Sequence, residues 1–340
     1  MRRSRSTWGS IPRKKNSSSR WSTGALRKCK RAADIDSRLP MVYVTLGKLH
    51  SSQGKDDLAL QEFQQALSLN RRDSNALSGM ANAYERMGRV AEAEKTYTTA
   101  ANMRPEYWDG YNSLGVFYLR QRRFEDAVTQ FTRVIELTPD NAAGYSNRGA
   151  AYSNMKDFGK AERDLKQSIA LAPSYGAYVN LGGLYASQKD YEKYAAMTEK
   201  ALQLNDKDFR VWANLAAAYR MLGEIDKAKA ASAEKLKRLE LAVQVQPKDP
   251  AIQASLGISY AEQKLKEKAV PHIEAAIALA PTNPQVLLNA GEAYEDLGDR
   301  RHALEYVQKS LKNGYTVDRV KNNPAFNNLV QDPGFKAQAK

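Results

Sequence analysis

The sequence predicts an all-α protein built as a solenoid of stacked helical hairpins. Three observations carry that expectation. The stretches Tyr111–Pro139 and Tyr145–Pro173 align at an offset of 34 residues, with Tyr, Gly, Tyr, Phe, Ala, Ile, Leu and Pro in register. Small residues recur at two fixed slots of that period. Glycine and proline recur where each helix of a hairpin must stop.

Extended from Pro40, the register yields eight units, beginning at residues 40, 74, 108, 142, 175, 209, 250 and 284 and ending at Val317. Slot 8 holds Gly47, Ala81, Gly115, Gly149, Gly182, Ala216, Gly257 and Gly291, and slot 20 holds alanine except in the fifth unit, where Tyr194 stands. Small residues at these slots let two antiparallel helices approach closely. Slot 11 is His50 in the first unit and then Tyr84, Tyr118, Tyr152, Tyr185, Tyr219, Tyr260 and Tyr294, large rings that fill the space between the helices. Gly54, Gly88, Gly223 and Gly298 at slot 15 stop the first helix; Pro105, Pro139, Pro173, Pro247 and Pro281 at slot 32 stop the second. One hairpin cannot bury both of its faces, so the units must stack.

Departures from the pattern are also readable. In the fifth unit slot 24, which is Phe63, Tyr97 or Phe131 earlier, becomes Thr198, so Tyr194 and Thr198 exchange volume on one helical face. The sixth unit, 209–249, gains seven residues within Ile225–Gln246. Seven residues make nearly two turns, about 10 Å, which returns the buried face to phase and predicts a longer second helix. Pro271, at slot 22, is expected to delay or bend the start of its helix. Residues 24–39 read as a partial repeat, a lone second helix, and 318–340 as a capping segment with starts at Asn323-Pro324 and Asp332-Pro333.

This arrangement resembles the tetratricopeptide repeat over more than four fifths of the chain. The resemblance implies a right-handed superhelix with a concave groove and a role in binding other proteins. The tail, with "LKNGYTVDRV" before it, is similar to the ends of repeat arrays attached to bacterial serine/threonine protein kinases and related signalling proteins. That likeness implies the sensory or docking half of such a bacterial protein, without its catalytic half.

Two strings could suggest the kinase half itself, Asp157-Phe158-Gly159 and Arg163-Asp164-Leu165. Their order is reversed, Glu162 stands where the catalytic loop needs His, Ile169 where it needs Asn, and no Gly-rich phosphate loop is present. Both strings fall on repeat slots: Phe158 aligns with Phe124, a packing position.

The net charge of +14 is uneven. Residues 1–31 hold seven Arg, four Lys and no acid, +11 of the total, which leaves +3 for the repeats and tail. The folded body is therefore not expected to bind nucleic acid. The head, 1–23, is Ser- and Arg-rich and reads as disordered: a transit peptide, an arm for nucleic acid or another acidic surface, or a start placed inside a longer gene, the last being favoured because the first repeat lacks its first helix. Cys29 is the one cysteine, so no internal disulfide can form, and a reducing, cytoplasmic compartment is expected; it reads as a small buried hydrophobe. No apolar run approaches the roughly 18 residues that span a bilayer. His50, His272 and His302 lie in distant units and cannot converge, so neither metal, cofactor nor catalytic set is expected.

The expected function is a non-enzymatic scaffold that binds a protein or peptide in the groove lined by the first helices, where slots 2, 5, 6, 9, 12 and 13 share a face. The candidate residues are Asn82, Arg86, Asn112, Arg120, Asn147, Asn180, Asn214, Arg220 and Asn289. Four of them, Asn147, Asn180, Asn214 and Asn289, occupy slot 6, and the first three, in consecutive units, are expected to be exposed in the free protein. An amide offers both donor and acceptor and can grip a peptide backbone without reading its side chains. The series resembles the asparagine ladder in the repeats of O-linked N-acetylglucosamine transferase. The carboxylate clamp of chaperone-binding repeats is absent, since slot 5 never holds Lys.

Overall fold

The computed structural model describes residues 24–338, apart from positions 25, 26, 30 and 33. The head assigned to 1–23 lies outside the described residues. Two compact bodies divide the chain, one ending at Pro173 and the other beginning at Ser174.

The first body holds four hairpins: α1 (Pro40–Ser52) with α2 (Asp56–Leu69), α3 (Ser74–Arg86) with α4 (Val90–Met103), α5 (Trp108–Arg120) with α6 (Phe124–Leu137), and α7 (Ala142–Asn154) with α8 (Phe158–Leu171). Residues of the partial repeat before Pro40, including Arg27–Cys29, are helical, and Cys29 is half-buried rather than fully enclosed. The second body pairs α9 (Tyr175–Ser187) with α10 (Tyr191–Leu204), α11 (Phe209–Met221) with α12 (Ile225–Val245), α13 (Pro250–Glu262) with α14 (Lys266–Leu279), and α15 (Pro284–Asp296) with α16 (Arg300–Lys312). Each body is all-helical among its described residues. No described helix is long and apolar enough to cross a membrane.

Local chemistry sets the helix ends. Asp73 accepts from the Ala76 N–H, Asn141 from Gly144, and Asp249 from both Ala251 and Ile252 just before Pro250 opens α13. At the turn inside each hairpin the chain adopts the left-handed conformation, with φ of +73° at Gly54 and +74° at Gly88. The same turn falls on Arg122, Lys156, Lys189 and Lys264 in other units, at φ of 60–61°. Without glycine the turn keeps its shape and carries strain.

Packing within a hairpin centres on the slot 8 glycine and the slot 24 side chain opposite it. Gly47 faces Phe63, Gly115 faces Phe131, Gly149 faces Leu165, Gly257 faces Ile273 and Gly291 faces Val307. In the fifth unit Gly182 meets Tyr194 and Met197 at looser range, and Thr198 is buried with its hydroxyl donated to the Tyr194 carbonyl. The slot 11 tyrosines are core residues with a polar end: Tyr118 donates its hydroxyl to Glu94 at 3.0 Å while the Arg123 guanidinium lies 4.4 Å from its ring centre and also pairs with Glu94.

The long helix α12 has 21 residues where α10 and α14 have 14. Pro271 does not delay its helix: α14 begins at Lys266 and carries Pro271 on its exposed side, where the missing N–H costs little packing. After α16 come α17 (Val317–Lys321), two 3-10 turns at Pro324–Phe326 and Leu329–Gln331, and α18 (Pro333–Gln338). Val320, Phe326, Leu329 and Phe335 seal the last hairpin, each at most 2% exposed.

Candidate partner-binding surfaces

In the first body the polar residues of successive first helices are bonded to one another or to the preceding repeat. Arg86 pairs with Asp56 at 2.6 Å and also donates to the Ser51 carbonyl. Arg120 grips Glu85 through two bonds of 2.7 and 2.6 Å, and Glu85 is 12% exposed. Asn147 donates its amide to Asn112 Oδ1 at 2.9 Å. Asn82 hydrogen bonds Tyr97, whose phenol is pushed up by burial and, secondarily, by Glu85. The Asn82–Tyr97 bond stays within one hairpin, whereas those of Arg86, Arg120 and Asn147 run between repeats, so these three residues, expected to face a ligand, also lock neighbouring units in register.

The asparagines are half-buried rather than exposed. The Asn112 nitrogen and the Asn147 oxygen make no other hydrogen bond among the described residues, so one donor and one acceptor stay available at that pair.

A second surface lies in the second body. Asn214 and Arg220 line a cavity of about 390 Å³ with an apolar floor that includes Phe209, Leu239 and Ile258. Asn289 stays out of it: its oxygen accepts from Gln285 of its own helix at 2.8 Å. Asn180 is half-buried on α9 and is likewise not among the lining residues.

Lys235, Glu262 and Glu292 also line the cavity and were not anticipated. Lys235 and Glu262 form an ion pair of 2.7 Å, with the lysine side chain 13% exposed. Burial pushes the Glu292 carboxyl up to about 7, aided by the charges of Asp296 and Glu262, with the Asn323 amide and Lys235 acting against them. Asp296 is shifted upward as well, by burial first and then by Glu262. Glu292 sits at slot 9, one of the inner-face slots, and a carboxylate there was the available signal. Lys235 lies on the helix that is seven residues longer than its counterparts, where the slot register cannot be carried across.

The Arg163-Asp164-Leu165 string is structural. Asp164 is 7% exposed and receives two bonds from Arg148 of the same hairpin, 2.7 and 3.0 Å, while Arg148 also reaches the Thr132 hydroxyl at 3.2 Å. A carboxylate held this way is a packing element. Among the described residues no group of His, Cys, Asp and Glu is placed to hold a metal ion.

Models of the tetratricopeptide repeat match residues 42–73, 78–142, 142–175, 175–208, 197–230 and 284–313. No curated protein matches the sequence. Among solved structures the chain is similar to a tetratricopeptide repeat protein from Parabacteroides merdae, at 15% identity and a TM-score of 0.51, over 83% of this chain and 96% of that one. It is similar to pilF of Pseudomonas aeruginosa at 18% identity and a TM-score of 0.50, over 61% of this chain and 95% of that one. The APC/C hetero-tetramer Cut9-Hcn1 matches at 16% identity and 0.51, over 80% of this chain and 52% of that one. At these identities the likeness is one of fold.

Proposed function

Because the chain belongs to the tetratricopeptide repeat family, whose stacked hairpins serve as protein-interaction scaffolds, we propose that it binds a peptide or extended partner segment along its first-helix faces and performs no chemistry of its own. The observation that carries this reading is the Asn112–Asn147 pair. Two half-buried amides, bonded to each other across a repeat boundary, keep one donor and one acceptor unused. An extended peptide backbone offers the complementary acceptor and donor. A docking role inside a longer signalling protein would use the same surface.

The test is selection from a random-peptide phage library on the purified chain, followed by affinity measurement on the double variant Asn112→Ala, Asn147→Ala. Two amide contacts together predict binding weakened on the order of tenfold or more, with only the small loss of stability that one neutral hydrogen bond brings. Peptides that bind both proteins alike would place the binding surface elsewhere.

A further inference from the structure

The seven extra residues of α12 open the joint between the sixth and seventh units. A helix about 10 Å longer than its counterparts cannot run flush against the 13-residue α13 along its whole length. Its second half makes the joint: Leu239, 1% exposed, packs with Ile252 and Leu256 of α13. Its first half packs back on its own hairpin, where Ala231 joins Val211 and Leu215 of α11. Between that first half and the end of α13 lies a cavity of about 460 Å³, lined in part by Ile225, Ala228, Lys229 and Ala233. Arg220, Lys235 and Glu262 line both this cavity and the 390 Å³ cavity beside it, so the two adjoin along one cleft.

The cations of the cleft are not all paired: Glu292 shares the 390 Å³ cavity with Arg220, but burial favours its uncharged form. Lys235 and Glu262 satisfy each other across the gap. Arg220 and Lys229 have neither an ion pair nor a side-chain hydrogen bond among the described residues. In the first body the arginines at the ends of α3 and α5 are each clasped by a carboxylate of the preceding repeat, Arg86 by Asp56 and Arg120 by Glu85. Arg220, at the end of α11, lacks such a clasp. Ile225, 53% exposed, adds an aliphatic surface beside the two cations.

We propose that this cleft docks a segment of a partner protein in which a carboxylate side chain stands next to an aliphatic one. The carboxylate pairs with Arg220 and Lys229, and the aliphatic group covers Ile225 and the alanines of α12. A nucleic acid is the poorer fit: two free cations beside an aliphatic wall give neither a row of phosphate contacts nor an exposed ring for base stacking. The site is separate from the Asn112–Asn147 pair, which lies in the other body.

The experiment is a random-peptide phage selection on the full chain, counter-selected on the variant Arg220→Glu, Lys229→Glu, with single-stranded oligothymidylate as a competitor at physiological salt. Both residues are exposed, so the variant is expected to keep the melting temperature of the parent. Clones that discriminate the two proteins should carry Asp or Glu beside Leu, Ile or Val, bind the variant on the order of tenfold or more weakly, and bind the Asn112→Ala, Asn147→Ala protein unchanged. The proposal is overturned if no clone discriminates, if the discriminating clones lack acidic residues, or if oligothymidylate displaces them.

Discussion

Phe131 lies so close to Gly115 that a β-carbon on the glycine would sit 2.6 Å from the edge of the ring. The ring is fully buried and has nowhere to move, so Gly115→Ala should destabilise the first body. Overpacking of about 1–3 kcal/mol outweighs the ~1 kcal/mol gain in helix propensity. In the second body Gly182 has 3.4 Å to Tyr194, ordinary contact, and Gly182→Ala should be neutral or stabilising. Urea denaturation of the two variants checks the contrast; equal effects would mean that slot 8 is small for some other reason.

Breaking the Arg148–Asp164 pair should cost far more than any surface change. Asp164→Ala leaves a guanidinium that is 18% exposed without its partner, a loss of roughly 3–5 kcal/mol by the usual behaviour of buried ion pairs. A cost below about 1 kcal/mol in chemical denaturation would show that water reaches the pair, as it does for surface pairs.

Strained turns can be relieved. Arg122 and Lys156 hold left-handed backbone at φ of 60° and 61°, and their side chains make no ion pair among the described residues. Arg122→Gly and Lys156→Gly should each stabilise the first body by about 0.5–1 kcal/mol, the left-handed penalty less the freedom glycine gains when unfolded. An unchanged or lower urea midpoint would reveal a contribution from the charged side chains.

The second body should lose stability as pH rises through neutrality. Glu292 releases its proton at about 7 in the folded chain against 4.5 for an ordinary glutamate, so its contribution is complete below 4.5 and is lost as pH rises through 7. At about 1.4 kcal/mol per pH unit the total loss is at most roughly 3–4 kcal/mol. Asp296 acts in the same direction. Burial holds His272 below 6.5, which acts in the opposite direction, so the informative quantity is the difference between variants. Glu292→Gln should flatten the fall between pH 5 and pH 8. An identical fall in both proteins would show the carboxyl to be hydrated.

How much of this was legible depended on whether a feature repeats. Gly115, Tyr118 and Gly54 stand on slots, and a slot recurs because every hairpin solves the same packing problem. Partners across the hairpin were harder to read. The opposition of Gly115 to Phe131 and the grip of Glu94 on Tyr118 depend on helix rotation, which the period alone leaves open. For the candidate surfaces the positions of Asn112, Asn147, Asn214 and Arg220 could be anticipated, whereas the bonding state of each could not. Whether an amide is spent on the next repeat, as in Asn147 to Asn112, is decided by stacking offset to within an ångström or so. Lys235 was not legible because it lies on the lengthened helix, where comparison with the other units loses its register.

The open joint at α12 also bears on how the second body folds. In a row of repeats each hairpin is held only by its neighbours, so cooperativity is handed from joint to joint and is weakest where the fewest side chains meet. The 460 Å³ gap thins that coupling between residues 174–245 and the hairpins that follow. The two blocks can then open at different free energies, which amide exchange would register as a step in protection at the seam. A segment seated in the cleft would touch both sides at once and couple the blocks, so that occupancy of the joint turns two unfolding events into one.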